Sequence, residues 1–251
     1  MKTAVVTGAS SGIGDATARR LGQDGWRLIL VARRQDRLDA LAGELHDAAA
    51  VAVDLTAADA PQRVRAAVEE RFDGKLELLV NNAGMNERAL FSEGGYENVR
   101  KIMEVNFDAT VRLTEALLPV LRDSAPSSLV NVASMAGRVA YPRGGAYAAS
   151  KFALAGWTEA LSLEEEPNGV HVGLVLPGYV ATEGFPQEDM VSRRATRWAV
   201  GKPETVADAI VRAGPGGKHD VAVPRPYAVV PILRAVARPL VRRMTGGLGG
   251  G

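Results

Sequence analysis

Thr7-Gly8-Ala9-Ser10-Ser11-Gly12-Ile13-Gly14 is the stretch that decides the fold. It joins a short run, Ala4-Val5-Val6, to a segment over 12–24 with helical periodicity. Glycines at 8, 12 and 14 permit a tight turn and let a diphosphate approach backbone N–H groups. The start of the following helix adds partial positive charge. Glycines also mark ordinary turns. What gives this one a phosphate-binding reading is its place, directly after an N-terminal strand and at the head of a helix.

Outward from that turn, strands and helices alternate. Apolar and β-branched runs predict strands over 4–7, 28–32, 50–53, 76–80, 128–132, 170–175 and 221–223. Helical periodicity predicts helices near 12–24, 35–48, 58–72, 97–121, 146–165 and 203–213. This repetition predicts an α/β fold, a doubly wound parallel sheet of the Rossmann type in a single domain. Unbroken apolar strands such as Leu28-Ile29-Leu30-Val31 suit burial on both faces. No linker or repeat divides the chain before its glycine-rich end at 246–251. The expected organisation is one domain over 1–225, including a loop near 183–200, and a basic amphipathic tail over 226–251. In that tail Val229, Leu233, Val236, Leu240 and Met244 fall on one helical stripe, with Arg234, Arg238 and Arg242 opposite. Pro231 and Pro239 are expected to break it in two. Such a stretch packs on the domain or across a subunit contact, or else makes a weak peripheral contact with an anionic membrane.

Composition excludes several classes. The net charge is +1, from 30 basic and 29 acidic residues, and no basic block precedes the last thirty residues, so no nucleic-acid partner is expected. The absence of cysteine excludes disulfides, thiolate metal sites and a cysteine nucleophile. His46, His171 and His219 lack ligand-like spacing, so no metal site is expected. The first apolar stretch ends at Thr7-Gly8, too short for a signal peptide, and no run reaches the length of a membrane span. A cytoplasmic protein is the expectation.

Chemistry concentrates in the second half. Tyr147 and Lys151 are four apart and share one helix face. A nearby ammonium stabilises a phenolate and lowers the tyrosine pKa toward working pH, which makes the phenol a usable proton-transfer group. An isolated Tyr-x-x-x-Lys would read as a surface pair; here it begins a helix, with Ser134 upstream and a nucleotide fold around it. Further along the chain stand Asn81-Asn82-Ala83-Gly84 after the fourth strand, Asn106 in the long helix, Pro177-Gly178 at the end of the sixth strand, and Thr182.

With the Gly-x-x-x-Gly-x-Gly turn, this ordered set resembles the short-chain dehydrogenase/reductase family over roughly residues 3–223. The resemblance implies an enzyme that interconverts a carbonyl and an alcohol with a nicotinamide cofactor. Tyr147 would be the general acid/base, and Ser134 would hydrogen-bond the substrate oxygen. Lys151 would also bind the nicotinamide ribose, and Asn106 would hold a proton-relaying water. The bland alternatives are a loop cap for Ser134 and a helix kink for Asn106. Gly8, Ser10, Ser11, Gly12, Ile13, Gly14, Asn82, Ala83, Gly84, Pro177, Gly178 and Thr182 would join Tyr147 and Lys151 around the cofactor. Thr182 would meet the nicotinamide carboxamide or serve as a helix cap. Asp54 would contact adenine or simply shape a turn. Family members commonly form homodimers or homotetramers.

The second strand ends Val31-Ala32-Arg33-Arg34 with no acid at its tip. An acid there suits the ribose of NAD, whereas an arginine suits the extra phosphate of NADP. NADP(H) is therefore expected, on Arg33 with help from Arg34 or Ser10. Substrate contacts are expected from Met85-Asn86, residues 135–145, Tyr179, and the 183–200 segment with Phe185, Met190 and Trp198. Their apolar character favours a hydrophobic small molecule. Arg138 and Arg143 could meet an anionic group or remain solvated. Two rivals remain, a non-catalytic NADP sensor and a sugar-nucleotide epimerase or dehydratase.

Overall fold

The first strand, β1 (Thr3–Thr7), is buried at every position, as a central parallel strand must be. The computed structural model describes residues 1–183, 200–237 and 239. In chain order the elements are β1, α1 (Gly12–Gln23), β2 (Arg27–Ala32), α2 (Gln35–Glu44), β3 (Ala48–Ala52), α3 (Ala60–Phe72), β4 (Leu78–Asn81) and α4 (Phe91–Met103). A π-helical turn over Glu104–Asp108 leads into α5 (Ala109–Asp123), followed by β5 (Ser127–Val132), α6 (Gly145–Glu165), β6 (Val170–Pro177) and β7 (Tyr179–Val180). The last are β8 (Val200–Gly201), α7 (Pro203–Ala213), β9 (Asp220–Val223) and α8 (Val230–Val236).

Seven strands form one parallel sheet in the order β3-β2-β1-β4-β5-β6-β9. Alternation along each strand sends side chains to two cores. Val6, Leu28, Leu30, Val80 and Val130 meet α1, α2 and α7 through Leu21, Leu38 and Ile210. Val5, Ile29, Leu79 and Leu129 meet α3, α5 and α6 through Val64, Leu117 and Leu161. The strand order reverses between β1 and β4, and a crevice opens at their carboxyl ends, where open α/β sheets bind ligands. The expected doubly wound single domain is what the structure shows.

The differences have physical causes. The helix expected over 97–121 begins earlier, at Phe91, where the Glu93 carboxylate accepts the Leu90 N–H, and widens into the π turn at Glu104–Asp108. α2 stops at Glu44 rather than 48 because Ala48 already pairs with Leu28 in β3. Pro231 does not break the tail helix; it lies in the first turn of α8, where a missing N–H costs nothing. Phe185, Met190, Trp198, Arg238, Leu240, Arg242 and Met244 lie outside the described residues. Among the described residues no helix is long and apolar enough to cross a membrane.

Candidate active site

At the head of α1 the glycines are fixed by space as much as by conformation. Gly8 and Gly12 have φ of +68° and +57°. A Cβ on Gly14 would lie 2.2 Å from the Gly8 carbonyl oxygen, so the start of α1 crosses the end of β1 in backbone contact. The Thr7 hydroxyl accepts the N–H groups of Asn82 (2.9 Å) and Ala83 (3.0 Å) and donates to Val80 O (3.1 Å). Asn82 Nδ2 returns a bond to Thr7 O at 2.9 Å. Thr7 thus ties the glycine turn to the 82–84 turn across the strand reversal. Sequence reading took it as the end of a strand, since nothing local marks a cross-strand partner.

Both arginines after β2 lie at this end of the crevice. Arg34 is spread over the phosphate turn, donating to Ser10 Oγ (3.1 and 3.2 Å), Ser10 O (3.2 Å) and Ser11 Oγ (2.8 Å). Arg33 is exposed on the cavity wall and makes no hydrogen bond or salt bridge among the described residues. Asp54 Oδ1 accepts from Thr56 N (3.0 Å) and Thr56 Oγ1 (2.8 Å), so its turn-shaping role is present. Those bonds, chiefly the backbone one, hold its pKa below the usual carboxylate range. Asp54 also lines the cavity. Glu183 was not foreseen: it lies 3.7 Å from Arg34 and pairs with Arg37.

At the other end, β5 delivers Ser134 and α6 delivers Tyr147 and Lys151. The Tyr147 and Ser134 hydroxyls lie beside one another in the cavity wall. Ser134 Oγ accepts from Ala136 N (3.1 Å) and donates to Pro177 O (3.4 Å). Lys151 is only 4% exposed, and its Nζ donates to Val132 O at 3.0 Å, 5.8 Å from the Tyr147 ring centre. Burial pulls its pKa down to about 8. Tyr147 moves the other way: burial pushes it up to about 12, against the lowering effect of the nearby Ser134 hydroxyl. The expected downward pull of Lys151 on Tyr147 does not prevail here. Two groups on one poorly hydrated floor each favour their neutral form.

Asn106 is fully buried in the π turn. Its Oδ1 accepts Met85 N (2.8 Å), and its Nδ2 donates to Met85 O (2.9 Å) and Ser150 Oγ (3.0 Å). Ser150 Oγ donates on to Tyr147 O at 2.8 Å. A Cβ on Gly84 would lie 3.2 Å from Asn106 Oδ1 and 3.6 Å from Lys151 Nζ. A deeper ladder joins the three bearing elements, with Asn81 donating to Asn131 Oδ1 (2.9 Å) and Asn131 donating to Thr158 Oγ1 (2.9 Å). Sequence reading missed Ser150, Asn131 and Thr158, because each acts only through a neighbour brought in by the fold.

One cavity of about 1110 Å³ joins both ends, lined by Ser10–Ile13, Arg33, Arg34, Asp54, 82–84, Ser134, Tyr147, Lys151, Pro177, Gly178 and Thr182. Of the expected site residues Gly14 and Asn106 are not in its wall; Gly14 sits behind Gly8, and Asn106 is buried behind Gly84. Thr182 lies over the turn, with its Cγ2 3.0 Å from where a Gly12 Cβ would be. The substrate side carries Met85, Asn86, Met135, Val139, Tyr141 and Tyr179 as expected, and Arg88 and Tyr227, which were not singled out. Tyr227 stacks on Gly178 so closely that a Cβ there would meet the ring at 1.9 Å. Arg138 and Arg143 instead pair with Asp220 and Glu93. The donor set, the glycine turn at a helix head and the length of the cavity fit a nicotinamide dinucleotide.

A dinucleotide crevice that ends on a half-buried serine and tyrosine beside a buried lysine defines a class, the nicotinamide-dependent oxidoreductases. The comparisons narrow it. Residues 2–190 match the short chain dehydrogenase family, and the chain belongs to that family, whose enzymes act on CH–OH and C=O groups. It is 32% identical over 217 residues to a ketoacyl reductase of Nostoc sp., covering 84% of this chain and 75% of that one. A short-chain dehydrogenase from Streptomyces avermitilis superposes with a TM-score of 0.83 at 28% identity, covering 97% of both chains. An actinorhodin polyketide ketoreductase variant with NADPH superposes with a TM-score of 0.79 at 30% identity, covering 88% of this chain and 95% of that one.

Proposed function

We propose that the chain is an NADP(H)-dependent reductase of a ketone on a hydrophobic small molecule, reversible to the alcohol, with Tyr147 as general acid/base. The meeting of the Ser134 and Tyr147 hydroxyls in the cavity wall, with Lys151 behind them, carries the reading. A bound nicotinamide supplies or accepts the hydride at the substrate carbon. Tyr147 gives its phenol proton to the carbonyl oxygen in reduction and takes the hydroxyl proton in oxidation. Its raised pKa keeps it protonated near neutrality, the form that reduction uses. Ser134 offers the same oxygen a hydrogen bond and steadies its developing charge. Lys151 holds ribose hydroxyls and passes protons on, through a water kept near Asn106.

NADP(H) over NAD(H) rests on the open Arg33 guanidinium and the lack of an acid at the end of β2, and the NADPH-bound ketoreductase supports it. A ketoacyl-type substrate is supported by the ketoacyl reductase likeness and by the apolar wall of Met85, Met135, Val139 and Val180. Calorimetric titration with NADPH and NADH, followed by an absorbance screen of ketone substrates, tests the whole reading. Tyr147→Phe is expected to lower turnover by about 10²–10⁴-fold while nucleotide affinity holds. Unchanged turnover would remove Tyr147 from its role, and no binding of either nucleotide would remove the reading entirely.

A further inference from the structure

Helix α8 leaves its apolar stripe uncovered. Its inner face carries Val230, in the cavity wall, and Arg234 four residues on. Arg234 is exposed, but its guanidinium reaches back along the domain, donating to Arg138 O at 2.6 Å and lying 4.9 Å over the Phe152 ring of α6. The other face carries Val229, Ile232, Leu233 and Val236, spaced to form one helical stripe, and it points to solvent. Ile232 is 62% and Val236 77% exposed. A surface helix ordinarily buries such an apolar stripe against the domain.

Charge says what covers that face. After Asp220 the chain holds no acidic residue, and it holds arginines at 225, 234, 238, 242 and 243, while the rest of the chain is net acidic. Arg225 opens the 3₁₀ turn that leads into α8, is exposed, and has no hydrogen bond or salt bridge among the described residues. An exposed apolar stripe within an acid-free, arginine-rich segment complements an anionic lipid surface, which takes the side chains into its acyl boundary and the cations at its headgroups. A second copy, whose formal net charge is +1, offers no such plane of negative charge.

We propose that α8 docks the protein on anionic membranes, with Val229, Ile232, Leu233 and Val236 entering the lipid. Tyr227 and Val230, on the same segment, form part of the substrate wall. Docking therefore places the cavity beside the lipid from which an apolar substrate would come.

The test is flotation of the full chain with phosphatidylcholine vesicles and with phosphatidylcholine–phosphatidylglycerol vesicles. The protein is expected to float with the anionic vesicles, not with the neutral ones, and to be released by high salt. Ile232→Ser/Val236→Ser should lower the partition by about tenfold or more. Arg225→Ala should lower it about fivefold. Failure to float with anionic vesicles, or equal flotation of the double variant, overturns the proposal. A smaller particle mass for the double variant in light scattering assigns the face to a second copy and also overturns it. Neither Ile232 nor Val236 lines the cavity, so the double variant keeps its NADPH affinity; a fall in that affinity would make the stripe part of the fold and likewise overturn the proposal.

Discussion

Replacing Lys151 by methionine tests the electrostatics of the site by a route independent of substrate. Lys151 is 4% exposed, and burial moves its pKa from 10.5 down to about 8. A lysine whose folded pKa is depressed makes the folded state bind fewer protons between those two values. Stability therefore rises with pH across the window and is flat below it, where the ammonium is charged in both states and the full penalty applies. The shift corresponds to about 3 kcal/mol, of which about 2 kcal/mol is recovered by pH ~9.5. Tyr147 runs oppositely: its pKa is raised, so its contribution is present below pH 10 and is lost as pH rises through 12, above the range needed. Lys151→Met removes the ammonium and leaves Val132 O without its donor, which costs about 1 kcal/mol. The variant should be inactive yet more stable than the parent by about 2 kcal/mol near pH 7, with the gap closing to near zero by pH ~9.5. Urea unfolding followed by circular dichroism at three pH values reads this directly. A gap that does not change with pH would refute the reasoning, as would a variant less stable throughout.

Three further outcomes follow from the geometry. Gly14→Ala drives a methyl into the Gly8 carbonyl, which is backbone and cannot step aside; it should cost about 1–3 kcal/mol in thermal unfolding and weaken both nucleotides in calorimetry. Arg33→Ala should weaken NADPH alone, by about 10–100-fold, whereas Arg34→Ala frees Ser10 and Ser11 and should weaken NADH as well; equal losses from both variants would erase the division of labour. In the absence of nucleotide, the ultraviolet difference between parent and Tyr147→Phe should show no tyrosinate below pH 10, because burial raises that phenol toward 12.

Much of this site was legible because its parts are local. The glycine turn announces itself between a strand and a helix, and Tyr147 and Lys151 share a face by spacing alone. Ser134 and the 82–84 turn follow strands whose ends a parallel sheet gathers to one edge. What stayed hidden depends on contacts between distant segments. Tyr227 lies in a stretch read as a tail, and only the return of the chain after β9 sets its ring on Gly178. The apolar stripe of that tail was legible, but not which way it would face. The effect of Lys151 on Tyr147 was misjudged for a related reason: spacing gives proximity but not hydration, and burial sets the direction of both pKa shifts.

Asn106 leaves little room for substitution. Its single planar amide does for Met85 what a neighbouring strand would do, accepting the N–H and donating to the C=O of one peptide, with one hydrogen left for Ser150. Aspartate would still accept the Met85 N–H but would set its second oxygen, an acceptor, against Met85 O. A hydroxyl could not span both atoms, and glutamine would carry an extra methylene into a site with no exposed surface. None of these replacements meets the specification. The position works as a keystone, narrower in its requirements than the substrate wall around it, so variation in what the enzyme accepts would have to come from elsewhere on that wall.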